Sequence, residues 1–238
     1  YNKAFRLVGL PQEALNWPLS RLAVPIMAQV RDRPAEFVRA FRHFNLSSMA
    51  LGLPCVVFLL VSTDQIVAVL YGPQWTEVGP LLRLLGVMGL LNTFLFAAGW
   101  VYTALGTVRR QLYWDIFNLA VLTVAFLIGA RWGAPGVAFA ASATCVALRI
   151  PALTFCFHGT PLRQRDIGGV LWRPLLAAGL AAGLVLGVRS AGGTSGPALG
   201  VVLRDGIVLA VGYVLGWVLV PGWKNFLRHE LRRPEPVP

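Results

Sequence analysis

The decapeptide NWPLSRLAVP, residues 16 to 25, puts Arg21 inside an apolar run that has the length of a membrane-spanning helix. An ionisable group at membrane depth costs about 2.5–3.5 kcal/mol on insertion scales, so it marks a cavity, a partner or a functional site. A guanidinium presents two parallel N–H donors that match a phosphate or carboxylate edge. Asn16, Ser20 and the prolines Pro11, Pro18 and Pro25 share the segment. Together they predict a hydrated face turned toward the cytoplasm, and an anionic substrate for Arg21. The alternative is structural, with Arg21 reaching down to the inner headgroups. Arg83, three residues past Pro80, is a second candidate cation, or else an outer-interface anchor that snorkels to water. Asp115 and Arg149 fall near cytoplasmic helix ends, where interfacial charge or a helix-end ion pair is the simpler reading.

Catalytic chemistry finds little material. His43, His158 and His229 fall in inner loops or the tail, without Ser-His-Asp or paired-carboxylate spacing or a Gly-rich phosphate loop after a strand. Cys55, Cys145 and Cys156 lie in the apolar runs with no pairing or ligand spacing, and read as small packing residues. No catalytic residue, metal ligand or cofactor is expected. The remaining enzymatic reading is an intramembrane transferase built on scattered Arg and Asp.

The elements that must hold these residues are helices in a bilayer. The chain is 56% hydrophobic and 13% charged, with a mean hydropathy of +0.65, more than a water-soluble core of this length absorbs. A spanning helix needs about 20 mostly apolar residues. Seven windows qualify, near 6–30, 44–69, 80–105, 112–131, 134–157, 169–189 and 199–221. These runs are continuous, unlike the alternating segments of a membrane barrel. The net charge of +11 follows the loops. If the segment after the first span is cytoplasmic, that side collects thirteen cations, from Arg31, Arg33, Arg39 and Arg42 through Arg109, Arg110, Arg163, Arg165 and Arg173 to Lys224, Arg228, Arg232 and Arg233. The other side holds three, Arg131, Arg189 and Arg204. That asymmetry places the first residue outside and the C-terminus inside. The basic charge encodes topology, and a nucleic-acid partner is not expected.

Local signals refine the spans. Three prolines spaced by seven predict an irregular, bent first helix buried in a bundle. RDRPAEFVRAFRHF, residues 31–44, sets Phe37, Val38, Phe41 and Phe44 opposite Arg39, Arg42 and His43. It reads either as a helix lying at headgroup level or as a solvated extension of the second span. Pro54 predicts a kink in that span. Gly72-Pro73 and Gly79-Pro80 read as turns, and Tyr71 and Trp75 as outer interfacial aromatics. Gly179, Gly183 and Gly187 in span six, and Gly212 and Gly216 in span seven, allow close helix approach, for packing or as a dimerisation face. RRPEPVP closes the chain as a disordered tail. Beginning at Tyr1 rather than Met, the sequence reads as a piece whose upstream part is missing.

YNKAFRLVGLP, then PLSRLAVP, LYGPQW and PLLRLLGVMGLLNTFLFAAGWVYTALG, resemble in order and spacing the Wzx-type lipid-linked oligosaccharide flippases, the polysaccharide-transport branch of the MATE-like exporter superfamily. The resemblance runs from Tyr1 to about Pro161 and is carried by Tyr1, Asn2, Ala4, Leu7, Pro11, Pro18, Pro25, Gly72, Trp75, Arg83, Gly99, Trp100 and Gly106. It implies an all-α integral membrane protein whose seven transmembrane helices correspond to helices eight to fourteen of a fourteen-helix flippase. Residues 1–161 would be five helices of the second lobe, 162–222 two extra C-terminal helices, and 223–238 a basic cytoplasmic tail. The chain departs from the pattern at Ala28-Gln29-Val30, where a Ser-Arg-Leu-like stretch is common, and at Lys3, where Arg is common.

The resemblance implies a flippase of the bacterial inner membrane that carries a lipid-pyrophosphate-linked oligosaccharide by alternating access. Its partners would be that substrate, membrane lipids, the missing N-terminal half and polysaccharide polymerase or assembly proteins. Arg21 and Arg83 would meet pyrophosphate or acidic sugars. Asn16 would join them, with Asn92, Trp100, Tyr102 and Asn118 offering sugar contacts. The competing readings are cation-coupled multidrug export, with Asp115 as coupling residue, and a non-transporting scaffold for envelope polysaccharide assembly.

Overall fold

A computed structural model of the chain describes residues 2–75, 77–192 and 196–219. The expected tail at 223–238 lies outside them, as do Tyr1, Lys224 and His229. Among the described residues there is no strand. The helices are α1 (Asn2–Gln29), α2 (Pro34–Val61), α3 (Thr63–Tyr71), α4 (Val78–Ala104), α5 (Val108–Gly129), α6 (Gly133–Phe157), α7 (Gln164–Gly192) and α8 (Ala198–Leu219).

By length and apolarity, five helical stretches suffice to cross a membrane: α2, α4, Val108–Phe157, α7 and α8. The third contains both α5 and α6, joined through a 3-10 turn at Ala130–Trp132. The window at 6–30 is not among them, because Glu13, Asn16, Arg21 and Gln29 dilute the apolar content of α1. That window is nevertheless one continuous helix, so the three prolines do not break it. Pro18 and Pro25 are both exposed. A spacing of seven keeps such prolines on one face, where each lost i→i−4 bond frees a carbonyl toward the open side.

Several local expectations change. Gly79-Pro80 is not a turn, since α4 begins at Val78 and Pro80 occupies its first turn, where a missing N–H costs nothing. Gly72-Pro73 does reverse the chain: Gly72 has φ +88 after α3, a backbone conformation that favours glycine. The Phe-rich segment after Pro34 is the unbroken start of α2, and its apolar face does not meet lipid. Phe37 and Phe41 are buried at 0% and 1% exposure against Met27, Trp100 and Phe157. Pro54 lies within α2, which continues through it. The second window contains a helix boundary that its hydropathy hid, because α2 stops at Val61 and α3 starts at Thr63.

The bundle has two distinct ends. One gathers the connections at 30–33, 105–107 and 158–163 together with the exposed arginines Arg31, Arg33, Arg39, Arg109, Arg163 and Arg165. The other gathers α3, the Ala130–Trp132 turn, the C-terminal end of α7 and the N-terminal end of α8. One apolar core lies toward the cation-rich end, around Met27, Phe37, Phe41, Trp100 and Phe157. A second, around Leu7, Leu82, Leu85, Ile66 and Ala138, lies toward the opposite end. A third joins Leu53 of α2 to Ala177, Ala181 and Val185 of α7 and Leu209 of α8.

α7 and α8 pack most closely through glycine. A Cβ at Gly216 would stand 2.8 Å from the Ala177 Cα, and one at Gly212 3.1 Å from the Ala181 Cα. Gly179, Gly183 and Gly187 face open space. Two charged clamps fasten this pair to the rest. Near the cation-rich end, Arg42 of α2 pairs at 2.5 Å with Asp166, whose other oxygen accepts from the Arg163 backbone N–H at 2.7 Å. At the opposite end, Arg189 donates to Asp205 at 2.5 and 2.9 Å, to the Val61 carbonyl at 2.8 Å, and to Ser62 and Gln65. Arg204 adds a contact to the other Asp205 oxygen at 3.1 Å, and Asp205 is wholly buried.

A buried ion pair whose groups are all satisfied is costly to half-remove, about 3–5 kcal/mol, whereas an exposed pair contributes about 0.2–1 kcal/mol. Asp205→Ala should therefore lower the thermal midpoint of the detergent-purified protein sharply. Asp64→Ala, which removes the exposed Asp64–Arg83 pair, should leave it nearly unchanged. Equal shifts in thermal unfolding would refute the clamp assignment.

Candidate functional site

Packing divides the surface of α1 unequally. Leu7, Val8, Asn16, Ala23 and Met27 are buried against α2 and α4, while Arg6, Glu13, Trp17 and Arg21 are exposed. At about 100° per residue these four span an arc of about 80°. The helix thus has one charged open face, bearing an anion as well as two cations. The Arg21 guanidinium carbon stands 5.9 Å from the Trp17 ring centroid. Sequence reading singled out Arg21 and passed over Glu13, which lies nearer the start of the apolar window.

Contacts between α1 and α4 advance together along both chains, Phe5 and Glu13 against Leu85 and Phe96, then Ser20 against Trp100. The two helices therefore run parallel. Between them lies a groove of about 390 Å³, whose polar lining is Glu13 and Asn92 and whose aromatic lining is Phe5 and Phe96. Asn92 is half-buried, and its amide oxygen accepts from the Cys145 thiol at 3.5 Å.

The helix-to-helix seams below the groove are polar as well as apolar. The Trp100 indole N–H donates to the Ser20 hydroxyl at 2.7 Å, which donates to the Asn16 carbonyl at 2.7 Å. The Ser48 hydroxyl of α2 donates to the Asn16 side-chain oxygen at 2.8 Å. Asn16 and Trp100 are 3% exposed, so this network stitches α1, α2 and α4 together. Trp100 also packs edge-on against Phe44 and Phe96.

The remaining candidates are dispersed. Arg83 pairs with Asp64 across α4 and α3, with both side chains exposed. Tyr102 is buried in the core toward the cation-rich end. Asp115, exposed, and Asn118, half-buried, are on α5, which packs on α6 and only lightly on α4. Arg149 makes no helix-end ion pair among the described residues. It is buried at 9% exposure on α6, with one guanidinium nitrogen 3.7 Å from the Cys145 sulfur and two others without hydrogen-bond partners. The structure thus joins Asn16 and Trp100 through Ser20 on the packed side of α1, leaves Arg21 beside Trp17 on its open face, and sets Asn92 and Glu13 along one groove. It keeps Arg83, Tyr102, Asn118 and Asp115 apart from them.

Comparison with known proteins links the chain to polysaccharide biosynthesis proteins. The model of a polysaccharide biosynthesis protein family matches residues 1–80, which include α1, α2 and α3. The chain is 25% identical over 115 residues to the teichuronic acid biosynthesis protein TuaB of Bacillus subtilis, covering 48% of this chain and 24% of that one. It is 28% identical over 139 residues to the lipopolysaccharide biosynthesis protein WzxC of Escherichia coli, covering 58% and 28%. It is 26% identical over 174 residues to the amylovoran biosynthesis protein AmsL of Erwinia amylovora, covering 73% and 43%. The matched region spans less than half the length of each of these relatives. No solved structure matches the chain.

Removing the Ser20 hydroxyl strands the buried Trp100 N–H, a loss of about 1–3 kcal/mol. Ser20→Ala should lower the thermal midpoint by several degrees, and Ser20→Ala with Trp100→Phe should lose less than the sum of the two single changes. Strict additivity in that double-mutant cycle would remove the network as a joint between α1 and α4.

Proposed function

We propose, from the likeness of residues 1–80 to a polysaccharide biosynthesis protein family and of the chain to TuaB, WzxC and AmsL, that it forms one lobe of a flippase for lipid-pyrophosphate-linked oligosaccharide. The observation that carries this reading is the charged open face of α1. A helix facing hydrocarbon does not hold Arg6, Glu13 and Arg21 along one exposed stripe, given the cost of each at bilayer depth. The stripe faces a hydrated vestibule, closed on its far side by the part of the protein that precedes this chain. The cation-rich end is cytoplasmic by the positive-inside rule. The seven windows of the sequence are then seven crossings of the inner membrane, with α1 tolerated as one of them because water meets its polar face.

In the transport cycle the lipid tail stays in the bilayer while the charged head crosses beside α1. Arg21 binds the pyrophosphate, with Trp17 limiting the directions its guanidinium takes. Asn16 and Trp100 act one layer behind. Their hydrogen bonds hold the angle of α1 against α2 and α4, so that rocking of the lobe carries the stripe as a rigid unit. Arg83, tied to Asp64, serves as an outer anchor.

One observation favours a second reading, cation-coupled export of small amphiphiles: Glu13 is a carboxylate on α1 beside an open groove. The two readings separate in cells. In a strain lacking its own flippase, and with the full-length gene at equal protein level, Arg21→Ala should cut surface polysaccharide about 10- to 100-fold, the equivalent of one charged hydrogen-bonded contact. Arg21→Lys should keep part of it, retaining charge without the planar fork. Undiminished surface polysaccharide in Arg21→Ala overturns the anion role. Drug resistance conferred by the wild type and abolished in Asp115→Asn or Glu13→Gln would support export of amphiphiles instead.

A further inference from the structure

The α1–α4 groove has a composition that phosphate does not explain. Among the described residues its one charged lining residue is Glu13, which repels an anion. The carboxylate shares the groove with the amide of Asn92 and with two aromatic rings, Phe5 and Phe96, exposed at 45% and 38%. Carboxylate, amide and ring together suit a pyranose. A planar carboxylate accepts from a sugar hydroxyl while a neighbouring amide donates to the next hydroxyl along. Aromatic faces cover the apolar C–H patches of the ring.

Asn92 is oriented for this. Its oxygen is engaged by the Cys145 thiol at 3.5 Å, and that sulfur in turn lies 3.7 Å from the Arg149 guanidinium. With the oxygen occupied on the α6 side, the two amide N–H donors remain for the groove. Arg149 is thereby a positioning residue. Buried with two nitrogens unpaired, it places positive charge behind the thiol and amide and strengthens the donor that the groove presents.

Glu13 and Arg21 are eight residues apart on α1, about 12 Å along the axis. The same helix thus carries an anion-repelling position and an anion-binding position at separate depths. We propose that Glu13, Asn92, Phe5 and Phe96 form a subsite for an uncharged hexopyranose ring with adjacent hydroxyls, distinct from the pyrophosphate contact at Arg21. This rests on the flippase reading and deepens it. The groove selects a neutral sugar of the oligosaccharide head, so substrates differing only in that sugar pass at different rates.

The test uses purified full-length protein in detergent and saturation-transfer NMR. The probes are methyl α-glucopyranoside, methyl α-galactopyranoside, methyl α-mannopyranoside and, as the anion, inorganic pyrophosphate. At least one glycoside should show transfer strongest at ring C–H protons, weakened at least tenfold in Glu13→Ala and in Asn92→Ala, and unchanged in Arg21→Ala. Glu13→Asp should recover part of the signal. Arg149→Gln should weaken glycoside binding, and Arg149→Lys should restore some of it. Pyrophosphate, which has no C–H protons and is followed by its phosphorus-31 line broadening, should show the reverse pattern, sensitive to Arg21 and not to Glu13. Absence of transfer from all three glycosides, or glycoside signals unaffected by Glu13→Ala, overturns the subsite. A parallel measurement of surface polysaccharide keeps the outcomes apart. Glu13→Ala that exports normally while Arg21→Ala does not refutes the sugar site and leaves the flippase standing. Normal export in both refutes the transport reading itself.

Discussion

Charge carried along an otherwise apolar bundle is the constraint this fold must accommodate, and α1 carries it most directly. Arg6, Glu13 and Arg21 lie on one exposed arc, and the same open side receives the carbonyls of Ala14 and Arg21 that Pro18 and Pro25 leave without helical donors. Side chains and backbone therefore make the same demand for water on one side of one helix. The opposite side must then do all the packing. It does so with small or flexible apolar groups, Ala23 and Met27, and with the Asn16–Ser48 and Ser20–Trp100 bonds. Hydrogen bonds stand beside apolar area here, the close fit and polar contact that hold helices together where hydrophobic drive between them is weak.

The same economy appears at the C-terminal pair. α7 and α8 approach each other through Gly212 and Gly216, and they meet α2 through Ala177 and Ala181 on one side and Leu53 on the other. Small-residue packing gives shape but little direction along the helix axis. Direction comes from the two Arg–Asp clamps, Arg42–Asp166 and Arg189–Asp205, which grip α2 near its two ends. The second clamp also fills an opening in the backbone. α2 ends at Val61 because the chain turns into α3, and the Arg189 guanidinium takes up the Val61 carbonyl that the helix end leaves free. An arginine thus makes the α2–α3 corner and the α7–α8 docking a single structural event.

Hydropathy made the helices legible because apolar length is a local property, and a window of about 20 residues reads it directly. It did not show the α2–α3 corner, since Ser62 and Thr63 carry no Pro or Gly to mark the stop and Arg189 holds the corner from 128 residues away. It misplaced Gly79-Pro80 as a turn because proline is equally at home in a loop and in the first turn of a helix. The clamps were illegible for a related reason. Arg189 and Arg204 counted as loop cations toward topology, and nothing local announces that Asp205 stands between them in a buried site. In the candidate site, Arg21 stood out against its apolar neighbours, whereas Glu13 fell where the apolar run was only beginning. Its place opposite Asn92, and the link from Asn92 through Cys145 to Arg149, depends on the parallel packing of α1, α4 and α6, which no single segment encodes.

Parallel packing of these three helices has a further consequence for how a transported head group would be handled. Antiparallel neighbours bring the outer end of one helix against the inner end of the next, mixing levels of the membrane in sequence order. In a parallel trio, equal depth corresponds to a constant offset, so Glu13, Asn92 and Cys145 occupy one level while Ser20 and Trp100 occupy the next. Function can then be layered by depth. The upper layer presents an acid and an amide to a groove, the next is a closed network that holds the helices together, and Arg21 sits one residue past Ser20 with its side chain in the open. In the proposed transport cycle a substrate moving along α1 would meet a cation and a carboxylate in succession. If these helices move as one unit, both groups keep their spacing, since the joints that set it lie between α1, α2 and α4.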